Sequence, residues 1–177
     1  MRGGHQVIVE AGAGTGIGAP DADYQTAGAE IVDAATVFAR AEMIVKVKEP
    51  QPSEWTQLSP QQILFTYLHL AADPAQAQGL VNSGCTAIAY ETITDDTGGL
   101  PLLAPMSEVA GRLAVIEGAS HLKANAGGRG VLISGVPGTP AADVIVIGGG
   151  SGGLACAKTL GDLGAKCAVG FIRTLER

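Results

Sequence analysis

The sequence predicts an α/β protein in which a mainly parallel sheet flanked by helices is followed by the first β-α-β unit of a Rossmann domain. Short runs of β-branched and other apolar residues alternate with short helical segments, which is the pattern of layered α/β domains. Near the C-terminus a glycine-rich turn, GGGSGG, joins a strand-like run to a helical one. The composition, 46% hydrophobic and 16% charged, is that of a globular protein.

The first part of the chain is predicted to hold the larger sheet. β-Branched residues favour strands, and Pro50 ends the run IVKVKEP because proline cannot donate a ladder hydrogen bond. Asp21 and Asp23 follow Pro20 and place carboxylates in the first turn of a helix, where they are favourable. The predicted strands are residues 6–10, 30–32, 44–49, 63–68 and 85–90, and the predicted helices are residues 23–29, 34–41 and 73–81.

The second part is predicted to contain one longer helix and then a new domain. The helix begins with Ser107 near its N-terminus and runs to about Lys123, and the glycine- and proline-rich residues 126–140 mark a boundary. We therefore predict an N-terminal domain over residues 1–125 and an interdomain segment with the start of a Rossmann domain over residues 126–177. In the latter, the predicted elements are a strand at 143–147, a helix at 154–163 and a strand at 166–169.

Two strands of the predicted sheet end in groups that can do chemistry. Lys48 lies at the end of the first of them and His69 at the end of the second. Because ligands of open parallel sheets bind beyond the carboxyl ends of the strands, both side chains are expected at one crevice. An ammonium that holds a carboxylate or polarises a carbonyl, beside an imidazole that moves a proton, is a usable catalytic pair. The alternative is a solvated surface lysine and a structural histidine.

The turn after residues 143–147 has the spacing of a dinucleotide-binding fingerprint. Gly148, Gly150 and Gly153 satisfy G-x-G-x-x-G directly after a strand and at the opening of a helix. The first glycine makes the turn, the second admits a pyrophosphate, and the third lets helix and strand pack closely. A turn that binds nothing remains the alternative. The earlier glycines do not fit, because the third position counted from Gly12 falls on Ile17.

Charge and cysteine content exclude several classes of function. The net charge of −6 without a Lys/Arg cluster disfavours binding to nucleic acid or to a membrane surface. No apolar run approaches the length of a spanning helix, and the N-terminus is not a signal peptide. Three widely spaced cysteines indicate neither a disulfide framework nor a metal site. They fit a cytoplasmic protein.

Five segments of the sequence closely resemble the alanine dehydrogenase family. They read IVKVKEP, LFTYLHLAAD, IAYET, LPLLAPMSEVAGRLA and GGRGVLISGVPG, and they occur in the family's order and spacing. The resemblance extends from about Gly4 to Ile147. It also extends to the related nicotinamide nucleotide transhydrogenases, although these lack a close equivalent of LFTYLHLAAD. GGGSGGLACAK resembles the flavin-binding turn of thioredoxin and glutathione reductases too, but their redox cysteine pair does not follow.

The resemblance implies NAD-dependent oxidative deamination of L-alanine to pyruvate and ammonia. Lys48 is then expected to bind the substrate's carboxylate or carbonyl and His69 to act as acid and base. Ser107, Ser151 and Gly152 are expected at the cofactor. The alternative for Ser107 is an ordinary helix cap. The alternatives for the whole chain are a transhydrogenase α-subunit-like fragment and a non-catalytic nucleotide-binding or oligomerising module.

The resemblance also implies that parts of the family's machinery are missing. Family members are about twice as long, with an arginine segment before the strand HQVIVE and a catalytic aspartate late in a complete Rossmann domain. The second Rossmann strand should end in an acid that binds the ribose, and Phe171 stands there, with Arg173 nearby. We expect a folded homo-oligomer (the family forms hexamers) that is catalytically deficient by itself.

Overall fold

The computed structural model describes residues 3–148 and 151–170. The chain forms two compact units, Met1–Ile93 and Thr94–Arg177. Among the described residues the strands are β1 (Ile8–Glu10), β2 (Glu30–Val32), β3 (Met43–Val45), β4 (Ile63–Thr66), β5 (Thr86–Ala89), β6 (Asp143–Ile147) and β7 (Lys166–Gly170). The α-helices are α1 (Asp21–Thr26), α2 (Ala34–Arg40), α3 (Pro52–Trp55), α4 (Pro74–Ser83), α5 (Ala104–His121) and α6 (Ser151–Asp162). The predicted α/β class is confirmed.

The strands of the first unit form two parallel sheets. One pairs β1 with β2, and the other has the order β3-β4-β5 with β4 in the centre. In the larger sheet Ile44 lies opposite Leu64, and Leu64 lies opposite Ala87. All three strands therefore point their carboxyl ends toward the same edge. The predicted strand at residues 63–68 is present but ends at Thr66, because the chain turns away before His69.

The central strand has one fully buried face and is fixed by a polar contact as well as by packing. Leu64 has no exposed surface, and it packs in a cluster with Ile44, Phe38 and Leu80. Just before the strand, the buried Gln62 donates from Nε2 to the carbonyl oxygens of Phe38 (2.7 Å) and Ala41 (2.8 Å). These carbonyls lie at the end of α2, where a helix leaves carbonyl groups without intrahelical partners. Gln62 thus ties that helix end to β4.

Helix α4 begins and ends at the residues that its sequence indicates. The Asp73 side chain accepts a hydrogen bond from the Gln76 N–H (3.0 Å), which is the usual cap of a helix N-terminus. Gly84 follows the helix with a φ of +69°, in the left-handed region that glycine enters without steric cost. The helix therefore has defined limits that place its first turn next to the end of β4.

The second unit is built around two helices and a two-stranded parallel sheet. Helix α5 packs closely on α6, and β6 pairs with β7. A cluster of Val115, Ile133, Leu160 and Ala165 forms its core. Since α5 packs against α6, it groups with the second unit. The predicted domain division at residues 125/126 stays a prediction. Helix α5 begins at Ala104, three residues before the predicted start at Ser107, and Pro105 lies in its first turn.

Candidate active site

Three neighbouring parallel strands end next to one another, and each is followed by an ionisable side chain. Lys48 lies after β3, His69 after β4 and Glu91 after β5. The structure brings Lys48 and His69 together in one open pocket of about 320 Å³ within the first unit. The pocket is also lined by Glu49, Trp55, Asp73 and Gln76. The edge of the sheet thus holds both side chains at which the sequence predicts chemistry.

Glu49 joins the two predicted catalytic side chains. Its carboxylate lies 2.6 Å from Lys48 Nζ and 3.4 Å from His69 Nε2. The Lys48 side chain is 79% exposed, whereas that of Glu49 is only 21% exposed. The hydrogen bond from Lys48 is the main cause that lowers the pKa of Glu49, with smaller contributions from the Glu49 N–H and from the charges of Lys48 and His69. The carboxylate is therefore ionised at neutral pH, where it pairs with the Lys48 ammonium and lies close to the His69 imidazole.

The backbone of His69 has an unusual conformation. Its φ is +48° and its ψ is +38°, which is left-handed geometry that residues with a Cβ seldom adopt. The imidazole stacks on the ring of Tyr67, with centroids 5.8 Å apart and ring planes 23° apart. This conformation turns the His69 side chain toward the pocket just after the end of β4.

A carboxylate from the next strand holds this conformation. Glu91 accepts hydrogen bonds from the backbone N–H of His69 (2.6 Å) and of Leu68 (3.1 and 3.2 Å to its two oxygens). Burial raises the pKa of Glu91, but the N–H groups of His69, Glu91 and Leu68 outweigh it, so the net shift is downward. The buried Gln76 donates from Nε2 to the Leu68 carbonyl on the other side. Residues 68 and 69 are therefore fixed from two directions.

The sequence predicted neither Glu49 nor Glu91 as a functional residue. Both follow strands whose ends meet at one edge, and that position is the signal by which they could have been found.

Trp55 forms one wall of the pocket. Its Nε1–H donates to the Pro50 carbonyl (2.8 Å), and its ring lies so close to α4 that a Cβ on Gly79 would meet it at 2.6 Å.

The second predicted site lies in the other unit, at the turn between β6 and α6. Gly148 has a φ of +111°, and a Cβ on Gly153 would come within 1.8 Å of the Gly148 carbonyl oxygen. Both positions therefore require glycine, as the fingerprint predicts. Gly150 and Phe171 lie outside the described residues, as does the side chain of Ser151, the residue at which α6 begins.

Ser107 lies next to this turn. A Cβ built on Gly152 would be 3.3 Å from the Ser107 carbonyl oxygen and 3.9 Å from its Cβ. The prediction that Ser107 is near the helix N-terminus holds, but it is not a capping residue. Its N–H donates to the Leu103 carbonyl (3.1 Å) within the first turn of α5.

The described residues provide neither a metal cluster nor a membrane-spanning helix. They contain no group of three or more His, Cys, Asp or Glu side chains placed to hold a metal ion. None of the helices in residues 3–148 and 151–170 is long and apolar enough to cross a membrane.

Family models cover nearly the whole chain. "Alanine dehydrogenase/PNT, N-terminal domain" matches residues 1–110, and "Alanine dehydrogenase/PNT, C-terminal domain" matches residues 114–174. The chain belongs to the alanine dehydrogenase/PNT family. The resemblance read from the five sequence segments is thereby confirmed, and it continues beyond Ile147 into the glycine-rich turn.

Individual relatives agree with this assignment. The chain is 53% identical over 169 residues to an alanine dehydrogenase of Mycobacterium tuberculosis (strain CDC 1551 / Oshkosh), covering 95% of this chain and 46% of that protein. It is 55% identical over 167 residues to that of Halomonas elongata, covering 94% and 45%. A solved L-alanine dehydrogenase superposes with a TM-score of 0.80 at 42% identity, covering 96% of this chain and 53% of the other. The chain therefore spans about half the length of these relatives.

A transhydrogenase from Sinorhizobium meliloti has the same fold at lower identity. Its crystal structure superposes with a TM-score of 0.72 at 26% identity, covering 97% of this chain and 49% of that one. The alanine dehydrogenases are thus the more similar branch of the family in both sequence and structure.

Proposed function

We propose that this chain carries the substrate site of an NAD-dependent alanine dehydrogenase. The reaction is L-alanine + NAD⁺ + H₂O → pyruvate + NH₄⁺ + NADH + H⁺, and its reverse. The observation that carries the proposal is the convergence of Lys48 and His69 in one pocket, linked by Glu49, in a chain about half of whose residues are identical to those of alanine dehydrogenases. The small, polar pocket suits a three-carbon acid.

The two side chains have different tasks in this reaction. The Lys48 ammonium binds the substrate carboxylate or polarises the C2 carbonyl of pyruvate, because a compact cation favours negative charge on oxygen. The His69 imidazole acts as acid and base: it takes a proton from the water that adds to C2 and returns a proton to the departing amine. Glu49 keeps the lysine and the histidine next to each other while no substrate is bound.

The cofactor is proposed to bind at the β6–α6 turn. NAD supplies the acceptor for the hydride that leaves C2 of alanine. The positive φ of Gly148 and the close contact of Gly153 with the Gly148 carbonyl fit the first and third glycines of a dinucleotide-binding turn. We assign Gly150, Ser151 and Gly152 to the cofactor from the resemblance, and Ser107 joins them because its Cβ lies 3.9 Å from a Cβ built on Gly152. We keep NAD over NADP from the resemblance. Calorimetric titration with both nucleotides tests this choice, and tighter NADP binding would reverse it.

Pyruvate binding tests the substrate site directly. In the ¹³C-labelled 177-residue chain, pyruvate is expected to shift the imidazole C–H signal of His69. Lys48→Ala removes the charged partner of the carboxylate and should weaken the affinity roughly 10- to 100-fold. Lys123→Ala, which removes an exposed lysine of the second unit, is the matched control and should leave it unchanged. The proposal would be contradicted if pyruvate left the chemical shift of the His69 imidazole unchanged in the wild-type chain.

The second candidate function is hydride transfer between two nicotinamide nucleotides, and the transhydrogenase superposition favours it. Two assays on the same preparation separate the candidates. One follows NADH formation from L-alanine, and the other follows transfer from NADH to an NADP analogue. Turnover only in the second assay would favour the transhydrogenase function.

Size-exclusion chromatography with light scattering tests whether the chain forms the expected homo-oligomer.

A further inference from the structure

The left-handed backbone of His69 needs an interaction that holds it. Residues with a Cβ avoid this region, and among the described residues His69 is the one non-glycine residue with a positive φ. Such geometry is retained where several surrounding contacts hold the backbone in place, and it is common at functional sites. His69 is also half-exposed at the pocket, so its own packing provides few contacts to fix its direction.

The contacts of Glu91 supply that interaction. Its carboxylate receives the N–H groups of Leu68 and His69 at 2.6–3.2 Å, at the residues where the chain leaves β4. Two consecutive N–H groups that point at one anion form a concavity of the kind found in turns that contain a left-handed residue, such as His69. Glu91 does not line the pocket that Lys48 and His69 share.

We propose that Glu91 is a positioning residue for His69: its carboxylate holds the left-handed turn that directs the imidazole into the pocket beside Lys48. Glu91 contacts backbone groups only in this role and does not touch the substrate. The inference rests on the proposed function, because positioning the imidazole matters for the reaction only if His69 acts as the acid and base.

The charge of Glu91 is essential to this role. The carboxylate presents only acceptors to these groups: Oε1 receives the N–H groups of Leu68 and His69, and Oε2 also receives that of Leu68. A glutamine has the same shape but turns one of these positions into an NH₂ donor, which would face a backbone N–H donor. The depressed pKa of Glu91 agrees with an anion that is held by these N–H groups.

The test compares Glu91→Gln with Glu10→Gln in the full 177-residue chain. Glu10 is exposed at the end of β1 and serves as the matched control. Three quantities are measured: exchange of the Leu68 and His69 amide hydrogens, the chemical shift of the His69 imidazole, and its response to pyruvate. The shift is informative without ligand, because Tyr67 stacks on the imidazole and its ring current marks the present orientation.

Glu91→Gln is expected to speed exchange of both amides at least about tenfold, the change that loss of a hydrogen bond to a charged acceptor produces. It should also remove the ring-current shift of His69 and weaken pyruvate binding about tenfold, while Glu10→Gln changes none of these. Unaltered amide exchange, or an unaltered imidazole shift in a folded Glu91→Gln protein, overturns the proposal.

A second variant decides the matter if Glu91→Gln does not fold. Glu91→Asp keeps the charge but shortens the reach, and it should give amide exchange and an imidazole shift between those of the wild type and a free turn. An imidazole shift and pyruvate affinity equal to the wild type, despite faster exchange at residues 68 and 69, would show that Glu91 braces a loop without positioning His69. If the wild-type chain does not respond to pyruvate, the proposed function fails. Amide exchange and the imidazole shift still test separately whether Glu91 positions His69.

Discussion

The packing of α5 on α6 allows one substitution to be worked through in numbers. Gly111 is buried at the point where the helices cross, and a Cβ there would lie 2.2 Å from the Gly152 carbonyl oxygen and 2.8 Å from the Ala155 Cβ. Because comfortable contacts are about 3.5 Å or longer, Gly111→Ala must part the helices by roughly 1 Å. Overpacking of this kind costs about 1–3 kcal/mol, which exceeds the intrinsic helix preference of alanine over glycine, about 1 kcal/mol.

The same helix offers a control in which only the helix preference acts. Gly118 is exposed, and a Cβ there would have no neighbour within 4 Å. Gly118→Ala should therefore stabilise the second unit by up to about 1 kcal/mol, whereas Gly111→Ala should destabilise it. Both substitutions replace glycine by alanine in the same helix. A difference in their effects on stability therefore reflects the close packing where α5 crosses α6.

Urea unfolding followed by far-ultraviolet circular dichroism measures both variants. The single tryptophan, Trp55, belongs to the first unit, so its fluorescence reports that unit separately and should change little. Since Gly111 lies against Gly152, the Gly111→Ala variant should also bind NADH more weakly. A Gly111→Ala protein as stable as Gly118→Ala would refute the close crossing of the helices.

Two further predictions concern the first unit. Gly84 has a φ of +69° and a Cβ there would lie 3.3 Å from Pro60 Cγ, so Gly84→Ala should lower the free energy of unfolding by about 1–2 kcal/mol; an unchanged thermal midpoint would contradict this. The pKa of Glu91 lies below its usual 4.5, so its carboxylate stabilises the folded state fully above that value and loses the contribution as the pH falls through the lower, folded pKa. Unfolding midpoints of wild type and Glu91→Gln, measured from neutral pH to below 4.5, should therefore converge as the pH falls, and parallel curves would count against it.

Much of the fold follows from local sequence signals, because parallel α/β domains repeat one simple pattern. β-Branched runs predict the strands, and the helix predicted at residues 73–81 corresponds to α4 (Pro74–Ser83). The convergence of Lys48 and His69 follows from the direction shared by parallel strands. The predicted start of α5 at Ser107 lies three residues too late, because proline favours the first helical turn and Pro105 lies there.

The features that the sequence could not show depend on partners distant along the chain. Gly111 looks like an unfavourable residue inside a helix, and only the packing of Gly152 and Ala155 against it explains why a larger residue is excluded. The role of Glu91 is hidden in the same way, because its hydrogen bonds reach back to Leu68 and His69. Residue type and spacing predict which groups lie at a sheet edge, whereas loop conformation decides which of them touch.

A parallel sheet also provides the means to fix its own functional loops. Strands β4 and β5 each end beside the loop that follows the preceding strand of the sheet. The Thr66 hydroxyl, at the end of β4, lies 3.2 and 3.1 Å from the Val47 and Lys48 carbonyl oxygens in the loop after β3. Glu91, after β5, holds the His69 N–H in the loop after β4 in the same way. Because both predicted catalytic side chains stand on loops held by the neighbouring strand, their separation depends on the strand register rather than on the loops alone.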